Sequence, residues 1–92
     1  MNRKLTTEYI KSLIEANRLD EAKELLSLRL GQNRSDDEAY YLLGNVHRKT
    51  GDIKLAMYNY LCAAEINADS PAAEACRVLL EIRNFINPDY NP

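Results

Sequence analysis

The chain repeats itself at an offset of 34 residues. When Asn17 is placed over Gly51, Ala22 falls on Ala56, and two predicted helical hairpins line up along their length. A hairpin of two helices cannot bury its apolar face alone, so hairpins that repeat in this way stack on their neighbours. The repeat therefore predicts an all-α fold in which consecutive helices pack side by side as a short α-solenoid.

The residue composition also favours helices joined by short loops. Among 92 residues there are three glycines and three prolines, and 46% of the chain is hydrophobic. That length predicts one small domain. Apolar residues recur at steps of three and four positions, which is the period of an amphipathic helix. This periodicity predicts five helices, at about 7–16, 19–30, 36–50, 53–66 and 70–86.

Short polar and glycine signals predict where these helices begin and end. Gly31 follows the second helix as an expected stop, and Gly51 follows the third. The run Ser35 to Glu38 has the spacing of a capping box, in which the Ser35 side chain accepts the amide of Glu38. Asp52 is expected to cap the fourth helix, and a hydroxyl followed by proline at residues 70–71 is expected to open the fifth.

Gly44 lies inside the third predicted helix, where glycine is about 1 kcal/mol less favourable than alanine. A residue without a side chain lets a second helix cross closely, and we expect the fourth helix to approach Gly44 near Ala56. The packing gained would offset the lost helix propensity. The first hairpin carries Ile10 at the equivalent position, which predicts looser or shifted packing there.

The residues at these positions resemble the tetratricopeptide repeat (TPR) pattern. The second repeat matches with Tyr40-x2-Leu43-Gly44-x2-His47 and then Ala56-x3-Tyr60, and Gly51 occupies the turn between its helices. The first repeat is more divergent, and of its pattern residues only Ala22 is identical. The resemblance implies a short right-handed stack of two TPR hairpins and a C-terminal capping helix, with repeats at 3–34 and 36–68, the capping helix at 70–87 and a tail at 88–92. It also implies that His47 packs between helices.

In TPR proteins, the first helix of each hairpin lines a concave groove that holds a peptide. Carried onto this chain, the groove-facing residues are Lys4, Thr7, Lys11, Glu15, Tyr41, Asn45, Arg48, Lys49, Cys76, Leu80 and Arg83. The cations among them could hold an acidic side chain of a partner. The lysine-based carboxylate clamp of some TPR domains is not reproduced, since Thr7 and Tyr41 occupy its lysine positions. A merely solvated charged face remains the alternative interpretation.

Other classes of function have little support in the sequence. A net charge of −2 does not suit nucleic acid, and no run of about 18 apolar residues predicts a membrane span. One histidine and no metal-ligand spacing predict neither an enzyme nor a metal or other cofactor. Without a signal peptide, Cys62 and Cys76 are expected to be reduced, in a cytoplasmic protein. We therefore expect a non-catalytic adaptor that binds a protein or peptide.

Self-association is the second possibility. In the fifth helix, Leu79 and Ile82 are among the residues predicted to face the stack, whereas Leu80, Phe85 and Ile86 remain at its margins. A hydrophobic helix at the end of a short solenoid is a natural pairing surface for a second copy of the chain. The sequence therefore leaves open a homodimer formed through this helix.

Overall fold

The fold is all-α, as predicted. We analysed a computed structural model that describes residues 5–86, with side chains as far as residue 82; Lys4 and the side chains of Arg83, Phe85 and Ile86 lie outside this range. The five helices are α1 (Thr7–Glu15), α2 (Leu19–Gln32), α3 (Asp37–Thr50), α4 (Ile53–Ile66) and α5 (Ala72–Ile86). Within residues 5–86 there is no strand, and no helix is long and apolar enough to cross a membrane.

The helices pack mainly in chain order. Each helix from α1 to α4 contacts the helix that follows it, and α1 also contacts α3, so that the first helices of the two hairpins lie side by side. The contact between α1 and α2 is less extensive than that between α3 and α4. Because α1 has nine residues and α3 has 14, the looser packing predicted from Ile10 stays a prediction, and the Ile10 side chain is fully buried.

Two of the predicted helix ends are confirmed by the backbone. Gly51 follows α3 in the left-handed conformation with φ 88°, and Asn17 follows α1 with φ 64°. Glycine and asparagine are the residues that adopt this conformation most readily. Asp52 caps α4, because its Oδ1 accepts a hydrogen bond from the Leu55 amide at 3.1 Å.

The prediction that Gly31 stops α2 is wrong. The helix continues through Gly31 to Gln32, and the Asn33 amide then donates to the Arg29 carbonyl at 2.9 Å. Gly31 does not have a positive φ, so its backbone is compatible with the helix. The loss of about 1 kcal/mol in helix propensity does not prevent the last turn from forming.

The predicted capping box at Ser35 is also wrong, since the N-cap of α3 is Asp36. The Asp36 Oδ1 accepts the Ala39 amide at 3.1 Å, whereas the Ser35 amide donates to the Asn33 side chain at 3.0 Å. Aspartate is among the residues preferred at an N-cap, and the Asp36 carboxylate also binds Arg29 of α2. The cap and the tertiary ion pair thus depend on one side chain.

The core consists of two clusters of buried side chains. The first joins α1, α2 and α3 through Ile10, Leu13, Ile14, Ala22, Leu26, Ala39, Leu42 and Val46. The second joins α4 and α5 through Ala56, Tyr60, Ala63, Ala72, Cys76 and Leu79. Tyr41 packs against both clusters and therefore links the two halves of the fold.

The buried side of α5 differs from the prediction in two places. Its buried residues are Ala72, Cys76 and Leu79, spaced four and three positions apart. Ile82, which was expected to face the stack, is 41% exposed, because it lies to one side of this buried line. Cys76, which was expected in the groove, is 5% exposed and packs in the second cluster.

Candidate functional site

A groove runs between α1 and α3, and it contains most of the charged residues predicted to line it. Its larger cavity has a volume of about 260 Å³ and is lined by Lys11, Ile14, Glu15, Leu42, Asn45, Arg48 and Lys49. Ile14 and Leu42 are buried members of the first core cluster, and they were not predicted as groove residues. They give the groove an apolar floor beneath a charged rim.

A second cavity extends the groove toward the beginning of α3. It has a volume of about 180 Å³ and is lined by Thr7, Lys11, Asp37, Glu38, Tyr41, Leu42, Ser70 and Pro71. Because Lys11 and Leu42 line both cavities, we treat the two as one surface, the α1–α3 groove. Arg48 and Lys49 lie at its end near the C-terminus of α3, together with Glu15 of α1, whereas Asp37 and Glu38 lie at the other end.

The cations of the α1–α3 groove differ in how they are bound. Among the side chains of residues 5–82, neither Lys11 nor Arg48 has an ion-pair partner, although both are exposed. Lys49 instead donates to the Ile14 carbonyl at 2.9 Å. That carbonyl lies at the C-terminal end of α1, where a cation complements the helix dipole. Lys49 therefore ties α3 to α1, and Lys11 and Arg48 are available to a ligand.

Asn45 is held by the buried phenol of Tyr60. The Tyr60 hydroxyl donates to the Asn45 Oδ1 at 2.5 Å, and its ring lies 5.8 Å from that of Tyr41 between centroids, tilted by 39°. Burial raises the pKa of the Tyr60 phenol, and the nearby positive charge of Arg48 acts in the opposite direction. Tyr60 was predicted only as a packing residue, and its hydroxyl contact with the groove was missed.

Thr7 lies in the groove, but its hydroxyl is occupied within the fold. It donates to Glu38 Oε1 at 3.0 Å and accepts from Arg29 Nη1 at 3.0 Å. Arg29 also binds the Asp36 carboxylate through two hydrogen bonds of 2.9 Å each. This arrangement, the Arg29 cluster, joins α1, α2 and α3. The sequence offered no specific signal for it.

Two of the predicted groove residues of α5 are not brought to the groove. Leu80 is exposed but does not line either cavity of the α1–α3 groove, and Cys76 is buried. Cys62 and Cys76 are both free thiols, as expected. Within the described part of the chain, no group of three or more His, Cys, Asp or Glu is placed to hold a metal ion.

Three further positions of the repeat pattern, Tyr40, Leu43 and His47, are partly buried. Tyr40 packs against the second cluster and Leu43 against the first, and both are partly buried. The His47 side chain is partly buried, and its carbonyl accepts the Asp52 amide and the Thr50 hydroxyl at 2.9 Å each. These two hydrogen bonds connect the last turn of α3 to the turn at Gly51.

No protein-family model matches the chain, and no curated protein sequence matches it. A solved structure does match, the solution NMR structure of Bacteroides fragilis protein BF1650. The two chains are 39% identical with a TM-score of 0.82, over 99% of this chain and 86% of the other. The chain therefore belongs to the same family as this small Bacteroides fragilis protein.

Proposed function

We propose that the protein is a non-catalytic binding module that holds a segment of a partner protein in the α1–α3 groove. The observation that carries the proposal is the pair of exposed cations, Lys11 and Arg48, which lack an ion-pair partner among residues 5–82 and flank an apolar floor. A groove with an apolar base and a few polar groups at its rim is typical of a ligand site. The alternative interpretation of these residues is a solvated charged face, which binds no partner.

We also propose that the two hairpins are divergent TPR units. The 34-residue repeat supports this, as does the contact of α1 with α3. The close contact between Gly44 and Tyr60, two positions of the pattern, gives further support. A right-handed stack with α5 as its cap would place α1 and α3 on the concave side, where TPR domains bind peptides.

The proposal can be tested by quantitative affinity capture with two charge-reversal variants. The groove variant carries Lys11→Glu and Arg48→Glu. The control carries Arg34→Glu and Lys54→Glu, which are also exposed and do not line the groove. Both variants change the net charge by the same amount. We expect partners to be lost from the groove variant and kept by the control, and direct binding to the purified partner to follow the same order. A groove variant that keeps all partners would rule the proposal out.

Self-association through the last two helices is the second candidate function. The side chains of Leu61, Leu80 and Ile82 are 51%, 43% and 41% exposed. Among the side chains of residues 5–82, the exposed large hydrophobic residues other than Leu28 all lie on α4 or α5. In a longer repeat array, the next hairpin would cover such an end. Light scattering tests this candidate directly, since a monomer at high protein concentration would exclude it.

A further inference from the structure

We propose that the α1–α3 groove selects a segment that carries an acidic side chain, and that Tyr60 sets this preference by fixing the orientation of the Asn45 amide. This inference rests on the proposed binding function and names the chemistry of its ligand. Tyr60 acts here as a positioning residue, because it contacts Asn45 and not the ligand.

The direction of the hydrogen bonds around Tyr60 decides what Asn45 offers to the groove. An amide oxygen accepts hydrogen bonds and cannot donate them, so the hydrogen bond between Tyr60 and the Asn45 Oδ1 uses the phenol proton. The amide Nδ2, with its two donors, has no hydrogen-bond partner within the described part of the chain and belongs to a residue that lines the groove.

The other groups at this end of the groove are also mostly donors. Lys11 and Arg48 have no acceptors of their own, and Lys49 uses its ammonium on the Ile14 carbonyl. The only carboxylate that lines the larger cavity is Glu15, against three cations. Charge-assisted hydrogen bonds to a carboxylate are about twice as strong as neutral ones. A ligand carboxylate would therefore satisfy donors that a neutral or basic side chain leaves unpaired.

The opposite end of the groove limits how acidic the ligand can be. Asp37 accepts from Asn67 at 3.1 Å, and Glu38 accepts from Thr7 at 3.0 Å. Both carboxylates line the smaller cavity and would repel a second acidic residue there. Ten residues of α3 between Glu38 and Arg48 rise about 15 Å, which an extended peptide covers in about five residues. The preferred segment therefore carries one acidic residue and not two.

The test uses NMR titration of ¹⁵N-labelled protein with three probes. They are the acetylated and amidated pentapeptides Ala-Leu-X-Leu-Ala, with Glu, Gln or Lys as X, so that the central side chain is the only charged group. We expect the Glu probe to bind about tenfold more tightly than the Gln probe, equivalent to about 1.4 kcal/mol. We also expect it to shift the side-chain amide signals of Asn45.

Two variants test whether the preference for Glu depends on the side-chain amide of Asn45. Tyr60→Phe removes the hydroxyl that fixes the amide, and the preference for Glu over Gln should fall at least threefold. Asn45→Asp keeps the acceptor for Tyr60 but replaces the donor with a carboxylate, so it should abolish the preference for Glu. If Tyr60→Phe does not fold, Asn45→Asp still tests whether the Asn45 amide sets the preference for Glu.

Each outcome of the titration has a distinct meaning. Equal affinity for the Glu and Gln probes, or a preference that survives Asn45→Asp, would overturn the inference. Tighter binding of the Lys probe to the groove would also overturn it, but would leave the proposed binding function in place. If the Glu probe shifts no groove signal at millimolar concentration, the inference is wrong, and affinity capture with the charge-reversal variants decides whether the binding function is wrong as well.

Discussion

The ring of Tyr60 fills the space that a side chain on Gly44 would need. A Cβ added to Gly44 would lie 2.3 Å from Tyr60 Cε1 and 2.4 Å from Cδ1. Glycine is thus required by a contact between α3 and α4, as the sequence predicted, and the atoms nearest to the added Cβ belong to Tyr60, one turn beyond Ala56. Because the same tyrosine reaches Asn45 with its hydroxyl, this close crossing also brings the phenol to the groove.

Replacing Gly44 with alanine should destabilise the protein, although alanine is the better helix former. The added methyl group must displace a fully buried ring, and overpacking of this kind usually costs about 1–3 kcal/mol. Gly31→Ala is the matched control, since Gly31 is helical and nothing lies within 4 Å of its added Cβ. We expect the control to stabilise by up to about 1 kcal/mol. Urea denaturation measures both, and equal effects at the two sites would contradict the role of Tyr60.

Asp36→Ala should be far more damaging than Ser35→Ala. The first change removes the N-cap of α3 and leaves the half-buried Arg29 without its principal partner, so we expect a loss of about 3 kcal/mol. The second removes a hydroxyl that caps nothing and should alter stability by less than about 0.5 kcal/mol. Thermal and urea unfolding of the two variants would show the difference. A larger effect at Ser35 would restore the capping box that the sequence suggested.

Arg29→Met should lower stability much more than Arg77→Met. Arg29 is 12% exposed at its side chain and binds Thr7 of α1 as well as Asp36 and Glu38 at the beginning of α3. Its loss should cost about 2 kcal/mol, since Thr7 and Asp36 are partly buried. Arg77 pairs with Glu74 and Glu81 on the exposed side of α5, where ion pairs contribute little to stability because water screens them.

A double variant checks whether the Arg29 cluster acts as a unit. Arg29→Met combined with Asp36→Ala should destabilise by less than the sum of the two single changes, because both remove the same ion pair. Strict additivity in urea denaturation would show that the two residues contribute independently.

Stability should fall in alkaline solution. Burial raises the pKa of the Cys76 thiol, and burial also raises that of the Tyr60 phenol. In the unfolded chain these groups ionise near their ordinary values, about 8.5 and 10. The stability that comes from keeping them neutral is complete below about pH 8.5 and is lost as the pH rises toward the folded-state values.

Unfolding measured between pH 7 and pH 11 tests this dependence. We expect Cys76→Ala to lose the decline that begins near the thiol pKa, and Tyr60→Phe to lose the part nearest the phenol pKa. A free energy of unfolding that stays constant from pH 8 to pH 11 in the wild-type protein would contradict the prediction.

The sequence by itself determined the number, order and type of the helices and several of their ends. These features depend on interactions within one or two helical turns, so a short stretch of sequence is enough to predict them. They are the apolar spacing, the left-handed residues Asn17 and Gly51, and the cap at Asp52. The resemblance to TPR proteins predicted that Lys11, Asn45 and Arg48 share one surface, and the three residues line one cavity. Gly31 shows the limit of such signals, since a glycine after an apolar run does not by itself end a helix.

Tertiary structure decided which side chains meet across the helices. Arg29 binds Asp36 seven residues away and Thr7 22 residues away, and Asp36 is also the N-cap of α3. Tyr60 reaches Asn45 across 15 residues and Lys49 reaches Ile14 across 35. These partners depend on how closely and at what angle two helices pack. The periodicity of a single helix carries no information on that packing. Which groove residues are hydrogen-bonded within the fold, and which are available to a ligand, therefore follows only from the tertiary structure.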